Sequence, residues 1–154
     1  MKNEIEENKK LIEELPFLKP TDWLGNDLED YDYSFTLLDE APKGWRDLQI
    51  RFFREIKPLL VKANYFDKYK ILQSKEKWGS WRLYDGGLPK DIFEEYNKIL
   101  QKYEFESEET CILCGDKAKM TYVGWICPIC EKCWNEREYN SDMPYEKAIK
   151  HKGE

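Results

Sequence analysis

All five cysteines of the chain lie in "CILCGDKAKMTYVGWICPICEKC", residues 111 to 133. Two thiolates three residues apart can close on one metal ion, while backbone N–H groups of the tight turn between them stabilise their charge. Cys111-Ile112-Leu113-Cys114-Gly115 has that form, and the glycine permits the left-handed backbone that such a turn tends to need. The second half offers Cys127, Cys130 and Cys133, again three apart. Pairing Cys127 with Cys130 gives CxxC-x12-CxxC. Pairing Cys130 with Cys133 gives CxxC-x15-CxxC, with the last pair opening a helix through "CEKCWNERE". Spacing alone leaves that choice open. Either set predicts one tetrahedral, zinc-type site per chain. Four thiolates fill the tetrahedron and make a poor Lewis acid, so the zinc is expected to be structural. The fifth cysteine reads as a small buried apolar residue; the alternative is a spare thiol that displaces a ligand on oxidation.

Other chemistry is thinly supplied. The single histidine, His151, lies in the tail, away in sequence from any serine or cysteine that it could activate. Gly86-Gly87 is a lone turn rather than a phosphate loop. Glu76 and Lys77 fall on an expected strand without an acidic companion at nuclease-like spacing. The chain is therefore expected not to be an enzyme.

The elements that would position the cysteines follow from hydrophobic period. "NEIEENKKLIEEL" places Ile5, Leu11, Ile12 and Leu15 near one face of a short helix that stops before Pro16. Residues 16–43 lack a clean period and predict an irregular segment with one short helical turn. Trp45, Leu48, Phe52, Ile56 and Leu59 mark an amphipathic helix, with a kink or restart expected at Pro58. "YKILQSKEKWGSWRLYDGG" predicts two strands around a turn near Gly79. Ile92, Tyr96, Ile99 and Tyr103 mark a second strong helix, with Pro89 in its first turn. The expected fold is α+β: helices flanking a small antiparallel hairpin sheet, with a C-terminal four-cysteine zinc module. The chain divides into an acidic N-terminal helix and irregular segment (1–43), a body (44–107), the zinc-binding module (108–138) and a polar tail (139–154) expected to be poorly constrained, all within one domain.

Charge is distributed unevenly over the 154 residues. Residues 1–43 hold twelve acids against five bases, whereas the remainder is close to neutral, so the N-terminal quarter carries the whole excess of the net −6. That is the wrong sign for a general DNA binder. Between Asp22 and Glu40 there are seven acids and no base. Asp22, Asp27, Glu29, Asp30 and Asp32, with Tyr31 and Tyr33 among them, form a candidate surface for a basic protein partner. A second candidate surface is the hairpin, where Trp78, Trp81 and Tyr84 would stack bases of a single strand while Lys75, Lys77 and Arg82 meet phosphates. No apolar run approaches the ~18 residues of a membrane span, and the first residues lack the apolar core of a signal peptide, so a cytoplasmic location is expected.

Several motifs occur together: Gly44-Trp45-Arg46-Asp47-Leu48, then Gln73, Lys75-Glu76-Lys77-Trp78-Gly79, Arg82 and Tyr84, then Cys111, Cys114-Gly115, and Gly124-Trp125 ahead of Cys130 and Cys133. Together they resemble a family of small bacterial and phage zinc-binding proteins. The resemblance covers about ninety residues and implies Cys111, Cys114, Cys130 and Cys133 as ligands, with Cys127 in a variable stretch. In type, a small, acidic, zinc-containing chain also looks like a type II anti-CRISPR protein. That implies an inhibitor acting in the host bacterial cytoplasm on a CRISPR effector nuclease or its guide-RNA complex.

Overall fold

The computed structural model describes residues 2–138 and 142–151. Helix α1 (Lys2–Glu14) buries Asn8, Leu11 and Ile12 on one face, and Leu15 follows them into the core. It ends where Pro16, lacking a donor and clashing with the preceding turn, cannot continue it. The segment to residue 45 forms three short 3₁₀ turns (Pro16–Leu18, Leu37–Glu40 and Lys43–Trp45), where the sequence reading expected one. The middle turn is fixed by a reciprocal cap. Thr36 accepts from the Leu38 N–H at 3.1 Å, and the Asp39 carboxylate accepts from the Thr36 N–H at 2.8 Å.

Helix α2 (Arg46–Lys62) runs unbroken through Pro58, contrary to the expected kink. Pro58 and Arg54 both lie on the exposed side of the helix, where the ring and the freed carbonyl need no partner from the core. Leu60 rather than Leu59 completes the buried stripe after Ile56, one full turn on.

Strands β1 (Ile71–Lys77) and β2 (Ser80–Asp85) form an antiparallel hairpin in which Lys77 stands opposite Ser80. The two-residue loop Trp78-Gly79 has φ of 54° and 83°, the left-handed pair of a type I′ turn. Helix α3 (Lys90–Ser107) packs along α2 and β2 and buries Ile92, Tyr96, Leu100 and Tyr103, with Ile99 only half-buried. At the centre, Phe52 meets Phe53, Trp81, Tyr96 and Tyr103 edge-on at 5.2–5.8 Å between ring centroids. A buried polar chain crosses this core. The Trp81 indole donates to Ser74 Oγ (2.8 Å), Ser74 Oγ donates to Gln49 (2.9 Å), and the Gln49 amide reaches the Leu38 carbonyl (3.2 Å).

The cysteine-bearing module follows: β3 (Lys119–Thr121) and β4 (Cys127–Ile129) pair antiparallel, then come α4 (Glu131–Glu136) and the one-turn α5 (Tyr145–Ala148). The fold is α+β, helices with two small antiparallel hairpins and a four-cysteine cluster near the C-terminus. The tail was expected to be poorly constrained, yet residues 142–151 pack back onto the module. The Ala148 carbonyl accepts from the Tyr122 N–H (2.8 Å), Tyr145 Oη donates to the Ile129 carbonyl (2.7 Å), and the Trp134 indole donates to the Met143 carbonyl (2.7 Å). The rest of that segment, 139–141 and 152–154, lies outside the described residues. Among the described residues, no helix is long and apolar enough to cross a membrane.

Candidate metal centre

The first pair of cysteines sits in the loop after α3. Gly115 N–H returns to the Cys111 carbonyl at 3.0 Å, and Gly115 has φ of 84°, the left-handed geometry expected of the glycine. The Asp116 N–H points at Cys114 Sγ (3.4 Å). The second pair opens α4: Cys130 is its N-cap, and Cys130 Sγ accepts from the Cys133 N–H at 3.5 Å. Both turns thus aim backbone donors at sulfur, which stabilises thiolate. A strand-like bond from the Ile112 N–H to the Pro128 carbonyl (3.0 Å) brings the two turns together.

The Sγ atoms of Cys111, Cys114, Cys130 and Cys133 all lie within 4.8 Å of one another, and Cys114 and Cys130 are 3.6 Å apart. Zinc–sulfur bonds of about 2.3 Å in a tetrahedron put neighbouring sulfurs about 3.8 Å apart, so the cluster has the size of a metal site. A disulfide would need about 2.05 Å. Cys111, Cys114 and Cys133 differ in how readily they give up their protons. Burial pushes Cys114 up to about 11 and lifts Cys133 further above the ordinary thiol range. For Cys111 burial also acts upward, but donors from Cys130, Cys114 and Leu113 outweigh it and hold that thiol low. A divalent cation removes the conflict by favouring thiolate at every position.

Cys127 is not in the cluster. It lies buried on β4, its thiol directed to the Trp125 carbonyl at 3.6 Å, and burial pushes it up to about 12. The structure therefore brings together the set with Cys133 and leaves the ribbon-spaced alternative apart.

The cluster is seated by residues that spacing alone did not mark as functional. The Gly44 N–H donates to the Ile112 carbonyl (2.9 Å), and a Cβ at Gly44 would collide with the backbone of Cys111 and Ile112. Across from it, a Cβ at Gly115 would stand 2.9 Å from the Gly44 carbonyl oxygen. On the other side, the Glu76 carboxylate of β1 accepts from the Gly79 N–H (2.6 Å) and from the Trp125 indole (3.0 Å). Both carboxylate oxygens of Glu76 are thus engaged. The residue ties the hairpin tip to the β3–β4 loop.

The acidic segment divides into two groups. Asp22 accepts from the Leu24 and Asn26 N–H groups (2.9 and 2.8 Å), and Asp32 accepts from the Ser34 N–H (3.1 Å). Ser34, through its hydroxyl and backbone N–H, holds Asp32 below the usual carboxylate range. Asp39 pairs with Arg46 at 3.6 Å, and the Glu40 carboxylate accepts from the Ser74 N–H. Asp27 is exposed beside Lys19 (3.6 Å), whereas the side chains of Glu29 and Asp30 are exposed and unpartnered among the described residues. Tyr31 and Tyr33 pack on each other at 4.8 Å and against the core, anchored where Asn8 donates to the Tyr33 carbonyl (2.8 Å).

The hairpin set does not share one face. Trp81 is fully buried and cannot stack on a base, because cross-strand alternation puts it inward with Ser74 and Leu83. Arg82 is paired with Glu104. Lys75, Lys77 and Tyr84 lie on the opposite face, and Trp78 projects from the tip.

Set against family models, curated proteins and solved structures, the chain matches none of them.

Proposed function

We propose that Cys111, Cys114, Cys130 and Cys133 hold one structural zinc ion, and that the domain so fixed is a non-catalytic, protein-binding inhibitor of the anti-CRISPR type. It is phage-encoded in this reading, works in the host bacterial cytoplasm and is directed at a host defence nuclease. Zinc, when bound, supplies crosslinking and charge compensation rather than a reactive centre, since four thiolates leave it no open position.

The observation that carries the binding half is the acidic loop. Its own carboxylates fix its backbone, through Asp22, Asp32 and Asp39. It then offers Glu29 and Asp30 to solvent, with Asp27 exposed beside Lys19, and the same loop carries Trp23, which is 89% exposed. A preorganised loop loses little entropy on binding. Exposed carboxylates on a loop that also carries an exposed aromatic suit a basic cleft built to hold phosphates, and they would steer association.

The test is target-DNA cleavage by a guide-loaded type II RNA-guided nuclease, titrated with the protein over a range of salt. Inhibition that weakens with salt, and weakens again in Asp27→Asn/Glu29→Gln/Asp30→Asn, is the expected result. Undiminished cleavage at every salt concentration, or inhibition indifferent to the triple change, overturns the reading.

A further inference from the structure

Trp78 occupies a position that folding does not explain. A type I′ turn with φ of 54° at this residue favours Asn or Gly, and a bulky side chain there is disfavoured. Burial does not compensate, because the indole is 74% exposed at the tip of the hairpin. Two lysines stand next to it in an acidic protein. Lys75 and Lys77 lie on the outward face, Lys75 with its ammonium 5.4 Å from the Tyr84 ring centroid, and neither lysine has an ion pair among the described residues. The nearby acids are hydrogen-bonded or paired elsewhere: Glu76 to Gly79 and Trp125, Asp85 to the Gly87 N–H, Glu40 to the Ser74 N–H, and Glu104 to Arg82, which stands opposite Lys75. Trp125, 55% exposed, stands against the same tip.

We propose that this tip is a binding site for single-stranded nucleic acid, with bases stacking on Trp78 and Tyr84 and phosphates meeting Lys75 and Lys77. Stacking platforms beside a positively charged track are the general means of holding single strands. Each nucleotide brings a flat ring together with its phosphate, whereas an acidic side chain brings charge without one. The acids of the N-terminal loop that are unpaired among the described residues, Glu29 and Asp30, belong to a segment that starts away from the tip. Glu40 reaches the Ser74 N–H at mid-strand, but the start of the acidic loop meets the hairpin at its other end, where Gly25 lies beside Lys70. From Ile71 to Lys77 the strand extends about 20 Å, over two Debye lengths at physiological salt. This site goes beyond the protein-binding reading and stands without it.

Trp78→Asn provides a clean test, because Asn-Gly is the preferred type I′ pair and the hairpin keeps its turn. Binding of a fluorescein-labelled oligothymidylate of about 20 nucleotides is followed by anisotropy at about 50 mM salt, where phosphate contacts are strong. The wild-type chain is expected to bind, and Trp78→Asn to weaken binding roughly 5- to 150-fold, the range measured for loss of one base stack. Lys75→Gln/Lys77→Gln should flatten the slope of log affinity against log salt by about 1.4, for two phosphates on a single strand. The triple acidic variant should bind the oligonucleotide as well as or better than wild type while losing nuclease inhibition, so the two readings fail separately. No binding, binding unchanged in Trp78→Asn, or equal competition by polyglutamate of the same length overturns the proposal; the last assigns the tip to an acidic polypeptide.

Discussion

The indole N–H of Trp45 donates to the carbonyl of Thr110 at 2.9 Å, the residue immediately before the first cysteine of the cluster. Together with the Gly44 N–H on the Ile112 carbonyl, it seats the first cysteine turn on the start of α2. A methyl group at Gly44 has no room, because the obstructing atoms are backbone rather than a side chain that can swing away. Gly44→Ala is expected to cost about 1–3 kcal/mol by overpacking and to weaken metal retention with it. Trp45→Phe strands the Thr110 carbonyl and leaves a cavity beside the smaller ring, for about 2–3 kcal/mol together. Urea midpoints, with and without a competing chelator, measure both effects. An unchanged Gly44→Ala protein would show that the turn can move off α2 freely.

Metal content separates the cysteines. Purified protein should carry about one zinc per chain. Cys111→Ser, Cys114→Ser, Cys130→Ser and Cys133→Ser should each release it, whereas Cys127→Ser should retain it. Structural zinc contributes ~10–16 kcal/mol in finger peptides, but a chain with its own aromatic core should keep partial structure after release. Acidification should also release the ion, since every ligand must be thiolate. Elemental analysis decides between the sets: retention in Cys133→Ser and loss in Cys127→Ser would restore the ribbon spacing.

Much of this architecture was legible because periodic apolar residues report burial directly. The stripes of α1, α2 and α3, the hairpin and its turn, and the CxxC pairs were all readable before the fold. The choice between Cys127 and Cys133 was not readable from spacing, because it depends on the Ile112–Pro128 bond that brings the two turns together. Trp81 was misplaced for a similar reason: an aromatic on a strand faces in or out according to register, and only the pairing of Ser74 with Leu83 shows which. Pro58 carries a sequence signal for a break, but its place on the exposed side of α2 is a tertiary fact. Nor does a run of acids reveal which of them its own backbone already uses, as Asp22 and Asp32 are used here.

The two phenols of Tyr69 and Tyr96 meet in the core with their oxygens 2.5 Å apart. Burial is the main cause that raises both above the ordinary phenol range; each hydroxyl's neighbour and Asp85 add to or offset it. In the unfolded chain these groups ionise near ~10. Above that pH the unfolded state binds fewer protons than the native one, so stability is complete below pH ~10 and falls as pH rises further. Alkaline titration should therefore show phenolate absorbance from these two residues only together with loss of the native circular dichroism signal. Tyr96→Phe leaves the Tyr69 hydroxyl buried without its partner and should cost about 1–3 kcal/mol at neutral pH. Replacing both by Phe should be nearly neutral there and extend the alkaline limit. Early, non-cooperative ionisation of both tyrosines in the native protein would contradict the buried pair.

Glu76 joins two elements that could otherwise fold apart. Its carboxylate takes the Gly79 N–H of the hairpin turn and the Trp125 indole of the β3–β4 loop, while Met120 packs where a Gly79 side chain would stand. Bonds to a carboxylate are stronger than neutral ones, but this pair is partly open to solvent, so each is expected to contribute about 1 kcal/mol. Glu76→Ala should destabilise the protein by about 2 kcal/mol, and Trp125→Phe by about 1. Because both remove the same bond, their combination should fall short of the sum by about 0.5–1 kcal/mol. The double-mutant cycle is read from urea midpoints of the zinc-loaded protein, with Glu76→Gln as the variant that keeps an acceptor but not the charge. Additivity within about 0.3 kcal/mol would mean that the hairpin and the cysteine module do not support one another through this carboxylate. Coupling of the expected size would make the orientation of the Trp78 tip depend on a folded metal centre.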